Sequence, residues 1–216
     1  MPTTISNSDP QKISVSAARL SLISSVVALA ALASLHVLSP EFDPARRMVS
    51  EYALGHYGWL LSLMFVTWGL SAWALAFAIR SQVSGIGGYV GLVFLIAAGI
   101  GEAMASVFDV SWPRLHGLSA AIGIPSLPVA AVLISVSLGR TQAWHADRRI
   151  LLWTANLTWM SLALLAIVIL SSTSKLGSGQ ALIGWPNRLL IVAYSAWVIT
   201  VAWQALRVRS KLLSAN

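Results

Sequence analysis

Apolar runs of about twenty residues recur six times along the chain, at 17–38, 58–79, 87–108, 116–138, 150–170 and 188–206. The segments between them hold most of the charge. A spanning helix needs roughly 20 apolar residues to cross a hydrocarbon core of about 30 Å, and each run meets that length. The pattern predicts an all-α polytopic bundle of six transmembrane helices occupying residues 17–209. Connections are short, except for residues 39–57 between the first two runs. Residues 1–16 are polar and expected to be disordered, and 210–216 form a short basic tail. The first run follows Lys12 and Arg19, as a signal peptide would. Its apolar stretch is longer than a signal core and no small-x-small site follows it, so a retained helix is expected.

Composition agrees with a membrane protein. Hydrophobic residues make up 57% of the 216 and charged residues 10%, with a mean hydropathy of +0.77. About 25% charged is usual in soluble domains. The absence of cysteine excludes disulfides, thiolate metal sites and thiol nucleophiles. A net charge of +7 could suggest nucleic acid, but the basic residues punctuate apolar segments instead of forming a stripe, so no nucleic-acid partner is expected. With the N-terminus in the cytoplasm, nine Lys and Arg fall on the cytoplasmic side and five (Arg46, Arg47, Arg114, Lys175, Arg188) on the other. The positive-inside rule then places both termini in the cytoplasm and the protein in the cytoplasmic membrane.

The acids and imidazoles are distributed unevenly. Glu41, Asp43, Glu51, Glu102 and Asp109, five of the seven carboxylates, fall at the extracytoplasmic end, as do His36, His56 and His116. Ionisable groups in or beside a bilayer usually face a protein interior and mark a working site. In the first loop, Asp43-Pro44 reads as a helix cap and first-turn proline, which predicts a short helix along the membrane surface. Glu51 and Tyr52 then come near the mouth of the bundle, while Glu41 and Asp43 read as solvated acids neutralising Arg46 and Arg47. Glu102 lies inside the third run with Asp109 seven residues on, which sets both on one helix face. A Glu facing lipid there costs a few kcal/mol, so Glu102 is expected to point inward, as a working acid or as interhelical glue. Gly91, Ala98 and Ala105 continue nearly the same face and allow close helix approach. The hairpin from Asp109 to His116 is short enough to pair them, and a carboxylate beside an imidazole can orient a base or shuttle protons.

Other features admit plainer readings. Trp59, Trp112 and Trp185 lie near the outer boundary and Trp144 and Trp203 near the inner one, as interfacial anchors do. Trp68, Trp73, Trp153, Trp159 and Trp197 lie deeper, and core or lipid packing is the plainer reading for each. Pro125 and Pro128 remove backbone donors in mid-membrane and predict a kink that frees carbonyls toward a neighbour or a cavity. Asn156 and Thr158 read as interhelical hydrogen bonds. Asn187 and Arg188 open the sixth run on the acidic side, where Arg188 could pair with Glu51 or Asp109, hold an anionic headgroup, or snorkel to the interface. A metal would need His36, His116, Glu102 and Asp109 to converge without any HxxxH spacing, so no metal is expected. Nucleotide, haem and nucleophile-elbow fingerprints are missing too, and no cofactor is expected.

One resemblance accompanies these residues. His36, Pro40, Asp43-Pro44, Ser50-Glu51-Tyr52, Gly55 and Gly58-Trp59, then Phe108-Asp109, His116-Gly117 and Asn187-Arg188, resemble the DUF998 family of six-helix bacterial membrane proteins over roughly 35–207. The usual Phe-Pro-x-Asp of that family is altered here, with the proline displaced to Pro113. That family is broadly similar to the Frag1/DRAM/Sfk1 group, some of whose members are linked to lipid remodelling. The combined expectation is an acid–base enzyme acting on a lipid or isoprenoid-type hydrophobic substrate, by cyclisation, hydrolysis or acyl transfer. Glu102 would be the buried acid, Asp109 would orient His116 as base, and Glu51 with Tyr52 would close the pocket. Tyr52, Arg188, Asn187, His36 and Trp68 are the expected substrate contacts. The alternatives are a proton-coupled carrier using Glu102, with the Pro125/Pro128 break as gate, and a non-catalytic partner or sensor of another membrane protein.

Overall fold

A computed structural model describes residues 13–173 and 182–213. Six long helices run through it: α1 (Val15–Leu38), α2 (Gly58–Ile79), α3 (Gly85–Val107), α4 (Pro113–Leu138), α5 (Arg148–Thr173) and α6 (Gly184–Leu213). Among the described residues there is no strand. All six helices are long and apolar enough to span a membrane, so this is a multi-pass membrane protein. Lys12 and the rest of the N-terminal segment up to it, the 174–181 connection with Lys175, and residues 214–216 lie outside the described residues. The tail expected from residue 210 begins inside α6.

Neighbours in sequence are neighbours in space, and α1 closes the ring on α6. Helix α2 also meets α6 across the middle. Outside the ring, large apolar side chains such as Ile86, Val93, Phe77, Ile167 and Leu170 are exposed, a surface that suits acyl chains and not water. The tightest seam joins α3 to α4. A Cβ on Gly101 would run into the backbone of Gly123, so the two helices come as close as glycine permits. That contact fixes the depth at which Glu102 and the middle of α4 face each other.

Most polar groups of the membrane segments find partners close by, as lipid requires. Ser21 Oγ donates to Ser71 O at 2.8 Å, joining α1 to α2, and Trp197 Nε1 donates to Ser135 Oγ at 3.0 Å, joining α6 to α4. Asn156 and Thr158, expected to bridge helices, instead donate back to Leu152 O and Ala155 O of their own helix. Trp144, expected at the interface, is fully buried near Gln82.

The two prolines of α4 do not interrupt the helix, which is continuous from Pro113 to Leu138. Pro128 cannot donate to Ile124 O, and Tyr194 of α6 does so in its place, with its hydroxyl at 2.6 Å. The freed carbonyl thus goes to a neighbouring helix. The short helix of the first loop also differs from expectation. The Asp43 carboxylate accepts the Ala45 amide in a local turn without starting a helix, and the helical segment is a 3-10 turn at Val49–Leu54. It starts there because Glu51 accepts the Met48 N–H at 2.9 Å, capping the segment from within.

Replacing Tyr194 by Phe leaves the half-buried Ile124 O without its donor and should lower unfolding stability in detergent by about 1 kcal/mol. In a Pro128→Ala background the restored amide serves that carbonyl, so the loss should shrink to a fraction. Equal losses in both backgrounds, read by thermal unfolding, would show that the hydroxyl matters for another reason.

Candidate functional site

Four helices leave a cavity of about 80 Å³ at the loop end of the bundle. Phe65 and Trp68 of α2, Glu102 and Ala105 of α3, His116, Ser119 and Gly123 of α4, and Asn187, Leu190 and Ile191 of α6 contribute to its wall. Met48, Val49 and Ser50 of the first loop roof it. At about 30 Å³ per water, the space takes a few waters or one small polar group. The wall is mainly apolar with a few convergent polar groups, the usual make-up of a small-molecule site.

Glu102 is the centre of this arrangement. It is only 6% exposed, as its expected inward orientation requires, and its Oε1 lies over the Gly123 backbone. No hydrogen-bond donor or cation among the described residues reaches its carboxyl. The interhelical bond that a gluing carboxyl would make is not seen among the described residues. Trp68 supplies the complementary irregularity. It is 4% exposed, and its indole Nε1–H is buried without an acceptor. Both residues line the cavity, so each brings an unmatched polar group to its neighbourhood.

His116 is held differently from expectation. Its Nδ1 lies 2.9 Å from Phe108 O, and a carbonyl can only accept, so Nδ1 carries the proton. A neutral ring so held keeps its lone pair on Nε2. Asp109 plays no part in this. Its carboxylate accepts the Ser111 N–H at 2.8 Å, capping the α3–α4 turn, and it does not line the cavity. The α3 helix ends at Val107, so Asp109 leaves the face that Glu102 occupies, and the pairing expected from the short hairpin is replaced by a backbone carbonyl.

Glu51 and Tyr52 do not close the cavity. Both Glu51 oxygens are engaged, one by the Met48 amide and one by Arg47 at 2.7 Å. Asp43 pairs with Arg46 at 3.5 Å, as its plainer reading anticipated. Tyr52 belongs to a second cluster around Arg188. That guanidinium, 4% exposed, donates to His36 Nε2 (2.6 Å), Tyr52 Oη (3.0 Å), Arg47 O (2.7 Å) and Gly184 O (3.0 Å). His36 spends its other nitrogen on Leu32 O at 2.7 Å. Arg188 is thus neither paired with Glu51 or Asp109 nor snorkelling. It ties α1, the first loop and α6 together with neutral acceptors. Neither Arg188, His36 nor Tyr52 lines the cavity, whereas Asn187 and Trp68 do. Asn187 accepts the Val49 N–H at 2.8 Å and so holds the roof on α6.

Sequence reading passed over Ser119 and the roof residues Met48 and Val49, whereas Ser50 belongs to the first-loop motif it singled out. Ser119 stands three residues after His116 on one helix face, a spacing that could have identified it. Among the described residues, no group of three His, Asp or Glu could hold a metal. Here His36 belongs to the Arg188 cluster, not the cavity.

The family described as "Protein of unknown function (DUF998)" matches the chain over residues 22–204. No curated protein and no solved structure matches it.

Arg188→Ala would leave four acceptors without their donor, and should cost at least ~2 kcal/mol and speed proteolysis of the 39–57 loop in vesicles. Arg188→Lys keeps the charge but not the fork, and should restore little. Wild-type cleavage rates in both variants would show that the cluster does not hold the loop.

Proposed function

The chain belongs to the DUF998 family, and since that description carries no activity, we propose a function from the geometry: an intramembrane acid–base site for the polar or unsaturated end of a lipid or isoprenoid. Glu102 is the acid and His116 Nε2 the base. Asp109 and Glu51 serve the backbone turns and leave the chemistry to these two. The observation that supports the reading is the buried Glu102 carboxyl, unpartnered among the described residues and bordering a cavity that His116 also lines. Acid–base work requires two titratable groups in unlike environments, and here one is dry while the other sits half-buried at the rim. The small volume admits only the reacting end of such a substrate, so its chain would lie among the helices or in the bilayer.

That same volume favours a second reading, a proton-coupled carrier in which Glu102 exchanges its proton with a few waters.

Glu102→Gln keeps the shape and removes the acid. Lipid extracts of membranes carrying wild-type protein should contain at least one species altered relative to cells lacking it. The variant should lose that change by about a hundredfold or more, the scale of a missing general acid. A change retained in the variant would remove Glu102 from the chemistry. If no lipid differs, and the variant instead abolishes solute movement driven by a pH gradient, the carrier reading replaces the enzyme.

A further inference from the structure

A second cavity, of about 350 Å³, lies at the opposite end of the bundle, between the first turns of α1 and the last turns of α6. Arg19, Arg207 and Arg209 all line it, together with Trp203 and Ser210. Among the described residues no carboxylate lines it, and both ion pairs lie far away in the first loop. Arginines near a helix C-terminus offset its dipole, which accounts for Arg207 and Arg209 taken alone. It does not account for Arg19, which arrives from a different helix to share the same hollow. Three like charges around one cavity repel unless an anion is present. One further observation points to that anion: Arg209 Nη1 is buried without any hydrogen-bond acceptor. Trp203, 54% exposed beside it, sets this end at the level where indoles favour the membrane–water boundary.

We propose that this cavity binds a phosphate group, with the headgroup of an anionic phospholipid as its source. Guanidinium groups match phosphate oxygens with paired, directional hydrogen bonds, and Arg209 Nη1 has one such bond to give. Basic hollows between membrane helices take acidic headgroups in this way, and the charge bias of the chain assigns this end to the leaflet richer in them. The volume falls in the range of small-molecule pockets and accommodates a phosphate with part of its glycerol. The site lies at the other end of the bundle from Glu102 and stands whether or not that cavity is catalytic.

Native mass spectrometry of the full-length protein, offered equal phosphatidylglycerol and phosphatidylcholine in a neutral detergent, tests the assignment. Wild type should retain phosphatidylglycerol preferentially. Each arginine changed to glutamine should weaken that preference about fivefold, and Arg19→Gln/Arg207→Gln/Arg209→Gln should abolish it. Arg207→Gln, at an exposed side chain, keeps the test readable if the triple variant does not fold. Inorganic phosphate alone, in detergent without phospholipid, forms the second arm. An arginine-dependent rise in melting temperature without lipid preference supports the phosphate chemistry and assigns it to a soluble anion. Equal retention of both lipids, with no stabilisation by phosphate, overturns the proposal.

Discussion

A bundle in hydrocarbon has no water to complete its hydrogen bonds, so each polar group inside it must be answered by another part of the protein. That requirement orders most of what is seen here. Serines and threonines return their hydroxyls to nearby carbonyls. Tyr194 takes over the carbonyl that Pro128 abandons. Arg188, a buried cation, collects four neutral acceptors from three elements and thereby fastens the first loop over the bundle. Glu102 stands out as the buried carboxyl that nothing among the described residues answers.

The two irregularities beside the loop therefore have a common meaning. Glycine contact between α3 and α4 brings Glu102 against the α4 backbone, where His116 reaches the same hollow from the rim. A carbonyl at the end of α3 fixes the imidazole tautomer. Trp68 lines the same hollow, and its buried indole N–H has no acceptor. None of this needs a metal or a second carboxylate. It brings a carboxyl and an imidazole to one space of a few waters, the feature on which the proposed acid–base reading rests.

The helices were legible in the sequence because twenty-residue apolar runs have few other structural solutions. Span ends read from hydropathy fell within four residues of the helix ends, as for α2 at Gly58–Ile79, except that α6 continues past 206 to Leu213. The inward orientation of Glu102 was also legible, since facing lipid is costly. What could not be read was which neighbour each polar group meets. Asp109 and His116 are close in sequence, yet α3 ends at Val107, and the backbone carbonyl of Phe108 wins the imidazole while Asp109 caps its own turn. Glu51 looked like a pocket residue from its place near α2, but its two oxygens are spent on Arg47 and the Met48 amide. Arg188 looked like an ion-pair partner, and only the folded arrangement shows carbonyls, a phenol and an imidazole around it. Such choices depend on angles and depths that spacing along the chain does not encode.

The account depends on the Glu102 carboxyl bonding to something other than the protein. Infrared difference spectra between wild type and Glu102→Gln in bilayers isolate its carboxyl band. That band should shift promptly in D₂O and shift again when a lipid extract from the native membrane is supplied. A band that ignores both would mean that the carboxyl is locked to a neighbouring helix, and the cavity beside it would be only a packing gap.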